Sequence, residues 1–256
     1  MLRPRVIPCL LLSKGGLVKT RRFREPKYVG DPINAVRIFN EKEVDELMVL
    51  DIDATLEGRG PNLELIEELA AECFMPLCYG GGIRTAEEAK AVFALGVEKV
   101  ALQSAFLRDP SIVREVADHA GEQAVVVSLD IEKDWLGRQK LRRARSRDWR
   151  EALTQAARCG AGEILLTSVE REGTLGGMDI PLIAEASAMV DVPLIANGGV
   201  SSLSDIQGAV EAGASAVAAG AFFVFHGPHR AVLITYPRYD ELRRLWEQTQ
   251  HGIAAA

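Results

Sequence analysis

Two aspartates, Asp51 and Asp130, sit late in strongly apolar runs, MVLDID and VVVSLDIEK. A carboxylate so placed either faces a solvated mouth, satisfied by a ligand or a neighbour, or costs several kcal/mol (about 2–7) of desolvation. Positioned carboxylates of this kind move protons to and from a reacting atom. Side chains alternate along a strand, so Asp53 shares the face of Asp51 and either one would project inward. The alternative is structural: a carboxylate that accepts loop N–H groups and only holds the rim together. Asn197, Thr167 and Gln103 complete an uncharged polar rim at the ends of neighbouring runs.

A second set of residues suits anions. Gly80-Gly81-Gly82 follows one short apolar run and Gly198-Gly199 follows another. A phosphate needs converging backbone N–H groups, and glycine lets the chain approach closely with no Cβ in the way. The helix expected after Gly199 begins near Ser202 or Ser204, which would turn its orphan N–H groups towards such a ligand. Ala219-Gly220-Ala221 would form the other half of a phosphate cup. The candidates for phosphate binding are therefore Gly81, Gly82, Gln103, Gly198, Gly199, Gly220 and Ala221. Glycines that merely turn tight corners are the alternative. A third set, Arg5, Glu46, Lys99 and Glu163, lies at the starts of four apolar runs. Two cations and two anions there would neutralise one another as a ring, either purely structural or acting as a gate for something small and neutral.

These residues need a scaffold that brings the ends of many strands together. Strands are expected over 5–12, 47–53, 75–79, 99–103, 124–130, 163–168, 193–197 and 216–220, with amphipathic helices between them. The chain also nearly repeats itself. PLCYGGGIRTAEEAKAVFALGVEKVAL realigns with PLIANGGVSSLSDIQGAVEAGASAVAA 117 positions later, pairing Pro76 with Pro193 and Gly96 with Gly213. The same shift puts Glu46 over Glu163. Two βα-repeating halves in 256 residues predict one α/β domain, a closed (β/α)8 barrel spanning 1–256. At a slightly different offset VIPCLLLSK aligns with VVVSLDIEK, pairing Leu11 with Asp130. One polar site near the barrel mouth has lost its charge.

Residues 13–30 and 131–147 are too long for ordinary βα turns. The first reads as a long loop and the second as a hairpin or flap, both on the face where barrels keep their chemistry. A third irregular stretch, 222–236, reads as a lid or a partner contact. Composition limits what else the chain does. A formal charge of −6 argues against nucleic acid, although LRRARSR would bind anions or a partner. Cys9, Cys73, Cys78 and Cys159 have no metal-ligand spacing, so buried thiols are expected, with no metal or cofactor. MLRPRVIPC lacks the apolar core of a signal peptide, and no charge-free run has membrane-spanning length, which points to a cytoplasmic protein.

KGGLVK, VLDIDA, PLCYGGGIR, VVVSLD, GAGEILLTSVEREGT and PLIANGGV together resemble the cyclase subunit of imidazole glycerol phosphate synthase over essentially the whole chain. That resemblance implies a barrel that docks a glutaminase at its N-terminal face and conducts ammonia to a site at its C-terminal face, where a bis-phosphorylated substrate is cyclised. It places the catalytic aspartates at position 11 and at Asp130, with Lys19 and Asp51 beside them and Arg5, Glu46, Lys99 and Glu163 as the ammonia gate. Position 11 is Leu11, which neither donates nor accepts a proton, so cyclisation by a carboxylate pair is unavailable. Glu172 and Gln103 replace a more usual aspartate and asparagine.

REPKYVGDPINAVRIFNEKEVDEL and HGPHRAVLITYPRYDEL resemble a narrower group, the cyclase-like proteins of bacterial surface-polysaccharide clusters. That likeness implies an ammonia-conducting subunit between a glutaminase and an ATP-dependent amidotransferase that makes an acetamidino sugar for O-antigen or lipopolysaccharide. The alternative is the histidine-pathway cyclase subunit, with Glu172 or Asp53 replacing the missing acid. A third is a phosphosugar isomerase or lyase using Asp130 and Lys19.

Overall fold

Strict alternation of side chains along each strand builds the molecule in two concentric layers. In the computed structural model, which describes residues 3–144, 147–227 and 229–254, the strands are β1 (Arg5–Ser13), β2 (Gly16–Arg21), β3 (Arg24–Gly30), β4 (Leu47–Asp51), β5 (Leu77–Gly80), β6 (Lys99–Leu102), β7 (Val125–Lys133), β8 (Gln139–Leu141), β9 (Glu163–Ser168), β10 (Leu194–Asn197), β11 (Ala216–Ala219), β12 (Phe225–His226) and β13 (Ala231–Val232). The helices are α1 (Pro32–Glu41), α2 (Leu63–Glu72), α3 (Ala86–Ala94), α4 (Ser104–Arg108), α5 (Ser111–Ala120), α6 (Trp149–Arg158), α7 (Ile180–Ser187), α8 (Leu203–Glu211), α9 (Ala221–Val224) and α10 (Tyr239–Ala254). Strands β1, β4, β5, β6, β7, β9, β10 and β11 pair in parallel, and β11 returns to β1 with Arg5 beside Ala216. Closure removes the sheet edges and gives the expected (β/α)8 barrel.

Leu47, Val49, Leu77, Tyr79, Val100 and Val125 point outward and bury against the helices. Their neighbours in sequence, Met48, Cys78, Ala101 and Val126, point inward with Ile7, Leu165 and Ile195. Burying one such large apolar side chain contributes roughly 1.5–3 kcal/mol. The helices begin where the sequence supplies acceptors. Asp31, Asn62, Thr85, Asp148 and Asp179 each cap a helix by accepting a backbone N–H. Along α2 the buried stripe is Ile66 and Leu69, whereas Leu65 and Cys73 are only partly buried.

The three irregular stretches each take a definite form. Residues 13–30 form no loop: β2 folds back antiparallel on β1, with Val18 opposite Leu11, and β3 extends the hairpin. Two adjacent apolar residues allow this, since Leu17 and Val18 are both buried, one in the outer core and the other in the lumen cluster. Residues 131–141 form the expected hairpin, β7 running on to Lys133 and pairing with β8. Arg145 lies outside the described residues. The stretch after α9 folds into the small β12–β13 hairpin, with Arg230 donating to Thr174 O at 3.1 Å. It ends on Tyr236, whose hydroxyl donates to Val6 O at 2.9 Å near the opposite end of β1. Among the described residues no helix is long and apolar enough to cross a membrane, and no group of three or more His, Cys, Asp or Glu is placed to hold a metal ion.

Candidate functional site

Lumen-facing residues at the C-terminal ends of the strands enclose a cavity of about 290 Å³ lined by Cys9, Leu11, Lys19, Gln103, Asp130 and Thr167, among others. Small lumen residues leave this space open: Gly80, Ala101, Ala219 and Gly220 also line it. Asp130 follows Val126 and Ser128 on the inward face of β7, as the two-residue period requires. It is buried, and Gln103 Nε2 donates to its Oδ2 at 2.6 Å. Burial pushes the Asp130 carboxyl above the usual aspartate range, against the opposing pull of Gln103 and of the Arg142 and Arg143 charges.

Leu11 occupies the inward face of β1, in line with Ile7 and Cys9. It is 8 % exposed and packs in a cluster with Cys9, Val18, Leu50 and Ile52. Position 11, where the resemblance implied a second carboxylate, is thus part of an apolar wall. Lys19 reaches the cavity from β2, with Nζ donating to Cys9 O at 2.9 Å. Burial lowers its pKa, only partly offset by Cys9 and Glu172. Gly220 makes room for this ammonium, because a Cβ there would lie 1.7 Å from Lys19 Nζ.

Of the two arrangements the sequence left open for Asp51, projection inward or acceptance of loop N–H groups at the rim, the second is the one found. The lumen-facing positions in and beside β4 are Glu46, Met48, Leu50 and Ile52, so Asp51 falls on the outward parity with Leu47 and Val49. Its Oδ1 accepts the N–H groups of Asp53 and Ala54, each at 3.0 Å, and Arg59 Nη1 pairs with Oδ2 at 2.9 Å. Asp51 still borders the cavity while it organises the 53–59 turn. Asp53 accepts from Ser13 Oγ at 2.8 Å and from the N–H of Lys14 at 3.1 Å. Glu172 is also engaged, taking Thr20 Oγ1 at 3.0 Å and the N–H of Phe23 at 3.2 Å. It ties the β2–β3 hairpin to the loop after β9, and nothing in its local sequence signals that role.

The glycine pairs border the same cavity on two sides. A Cβ on Gly81 would come within 2.4 Å of Asp51 O, and one on Gly199 within 2.1 Å of Gly177 O. Close backbone packing therefore requires glycine at both positions whether or not an anion binds. Ser202 caps α8, its Oγ accepting the N–H of Asp205 at 3.3 Å, and Asp205 Oδ2 accepts the N–H groups of Ser201 at 2.9 Å and Ser202 at 3.0 Å. That capping box uses donors the sequence left available for a ligand. Ala221 opens α9 beside Gly220, also on the cavity wall.

At the far end of the lumen the four charges close into a ring. Arg5 donates to Glu46 and to Glu163, and Lys99 Nζ lies 2.8 Å from Glu46 Oε2 and 2.9 Å from Glu163 Oε2. Each charge starts or precedes a different strand, so only closure of the barrel brings them together. Glu46 Oε1 is buried with no hydrogen-bond partner among the described residues.

The profile of the histidine biosynthesis protein family matches residues 5–228. A Pseudomonas aeruginosa protein that carries the provisional name imidazole glycerol phosphate synthase subunit hisF2 is 53 % identical over 251 residues, covering 94 % of this chain and 99 % of its own. A Vibrio vulnificus protein provisionally named subunit hisF3 is 46 % identical over 257 residues, covering 96 % and 98 %. The imidazole glycerol phosphate synthase subunit HisF of Hyphomonas neptunium is 44 % identical over 230 residues, covering 88 % and 91 %. Near-complete coverage at such identity, on a barrel with this lumen, leads to one assignment: the chain belongs to the histidine biosynthesis protein family, among the relatives of imidazole glycerol phosphate synthase subunit HisF.

Proposed function

We propose that this chain is an ammonia-conducting, cyclase-like subunit. In this reading a glutaminase docks at the N-terminal face, ammonia passes the Arg5–Glu46–Lys99–Glu163 ring, and an ATP-dependent amidotransferase at the C-terminal face uses it to make an acetamidino sugar for surface polysaccharide. The observation that carries the reading is Leu11, packed into the lumen wall where the second carboxylate of a cyclase would stand. Two further features support a conduit. The lumen next to the ring is walled by apolar side chains, Ile7, Met48, Val126 and Leu165 among them. The orphaned Glu46 Oε1 offers an acceptor to an N–H donor at the ring.

The histidine-pathway cyclase is the second reading, favoured by the HisF relatives and by Asp130 and Lys19 sharing one cavity. It needs a substitute acid, and both offered by the sequence, Asp53 and Glu172, are committed to hydrogen bonds. The test is coupled glutamine hydrolysis with the glutaminase and the sugar amidotransferase, run beside a cyclisation assay on the histidine-pathway intermediate. Glutamine-dependent sugar amidination that requires this chain supports the conduit. Cyclisation at an ordinary enzymatic rate overturns it.

A further inference from the structure

The β7–β8 hairpin carries a feature that neither the cavity nor the ring uses. At its tip Trp135 is 88 % exposed and Leu136 is 54 % exposed. An exposed tryptophan on a loose loop would be unremarkable, but this tip is rigidly built. Asp134 Oδ1 accepts the N–H groups of Leu136 and Arg138, each at 2.9 Å. Its Oδ2 pairs with Arg138 Nε at 2.9 Å and with Lys140 Nζ at 3.3 Å. Two backbone bonds close the turn, Asp134 N–H to Arg138 O and Gly137 N–H to Asp134 O, each at 2.9 Å. Both apolar side chains are therefore presented to solvent with little ordering cost left for a binding event.

The segment carries a net positive charge, although Arg138 and Lys140 pair with Asp134 and Arg142 with Glu132. Residues 131–148 contain seven lysines and arginines and three carboxylates, in a chain whose formal charge is −6. The base of the hairpin stands at the cavity rim, since Arg142 and Arg143 line the mouth.

We propose that the Trp135–Leu136 tip is a docking finger that inserts into an apolar socket with an acidic rim on a partner protein, placing that partner over the cavity mouth. Tryptophan and arginine dominate the energetics of protein interfaces, and complementary charge around an apolar centre steers encounter. A lipid surface fits less well: one tryptophan and one leucine bury less than a myristoyl chain, which alone gives only marginal membrane binding. That the partner is the acceptor amidotransferase rests on the function proposed above; the finger itself rests on the geometry of the hairpin.

The test uses the full chain and the purified sugar amidotransferase of the same organism, with binding followed by interferometry. Trp135→Ala is expected to weaken the complex at least ~30-fold, with Tm and glutaminase binding unchanged. Asp134→Ala, which keeps the tryptophan and loosens the turn, is expected to weaken it about 5- to 10-fold. Raising NaCl should slow association. Wild-type binding that Trp135→Ala leaves intact overturns the finger and spares the proposed function. No wild-type binding overturns both. Retention on phosphatidylserine vesicles, or self-association lost in Trp135→Ala, with no amidotransferase complex, assigns the tip to a membrane or to a second copy and overturns the proposal.

Discussion

Gln103 Nε2 donates to Asp130 Oδ2 across 2.6 Å at the wall of a cavity that is also lined by the packed side chain of Leu11. Asp130 thus keeps a neutral hydrogen-bond donor and lacks a carboxylate with which to divide acid and base roles. Of the other carboxylates around this cavity, Asp51, Asp53 and Glu172 are each engaged in hydrogen bonds of their own.

Cyclisation of the histidine-pathway intermediate with ammonium supplied directly should therefore run ~10²–10⁴ below an ordinary cyclase, since general acid–base assistance is worth that much. Single-turnover measurement of product formation checks this, and turnover within tenfold of an ordinary cyclase contradicts it.

Leu11→Asp puts a charge into the cluster of Cys9, Val18, Leu50 and Ile52. A destabilisation of about 2–4 kcal/mol is expected, seen as a lower denaturant midpoint, together with weak cyclase activity. Full activity at undiminished stability would show that position 11 is solvated.

Lys99→Ala leaves Glu46 and Glu163 sharing Arg5 alone at the ring. The expected cost is about 1–3 kcal/mol, below that of breaking a fully buried pair. Glutamine-dependent transfer should fall several-fold while use of external ammonium is retained. Equal loss with both nitrogen sources would make the ring purely structural.

Asp130→Asn removes a carboxyl whose folded pKa is raised by burial. A raised carboxyl pKa means that the charged form is disfavoured in the fold, so the stability cost is absent below the unfolded pKa and complete above the folded one. The variant should melt higher than wild type at neutral pH, and the difference should disappear below about pH 4. A Tm gap that persists at pH 3 would point to packing instead of charge.

The Asp134 turn has the opposite sign. Burial alone would raise this carboxyl, but the bonds from Arg138, Lys140 and Leu136 hold it down to about 2. Its contribution to hairpin order should be complete above about pH 4 and be lost as the pH falls towards 2. Trp135 fluorescence anisotropy would report the loss; order kept below pH 2 would exclude Asp134 as the organiser.

The amino-acid sequence by itself determined the barrel, the repeat and the identity of the groups in play. Two-residue alternation in runs such as VVVSLD dictates which side chains share the lumen, and acceptors such as Thr85 dictate where helices begin. The absence of a carboxylate at position 11 was legible from the internal repeat, which pairs Leu11 in VIPCLLLSK with Asp130 in VVVSLDIEK. Asp51 was not legible, because parity tells which residues share a face but not which face is inside; only barrel closure turned Met48 inward and Asp51 outward. The hairpin at 16–30 was read as loop because its partner, β1, pairs with it through register and not through local pattern. Glu172 clamping Thr20, and Gly220 yielding to Lys19, join residues far apart in the chain. Long-range contacts of that kind carry no local signature, since their energy depends on distances that exist only after the strands have closed.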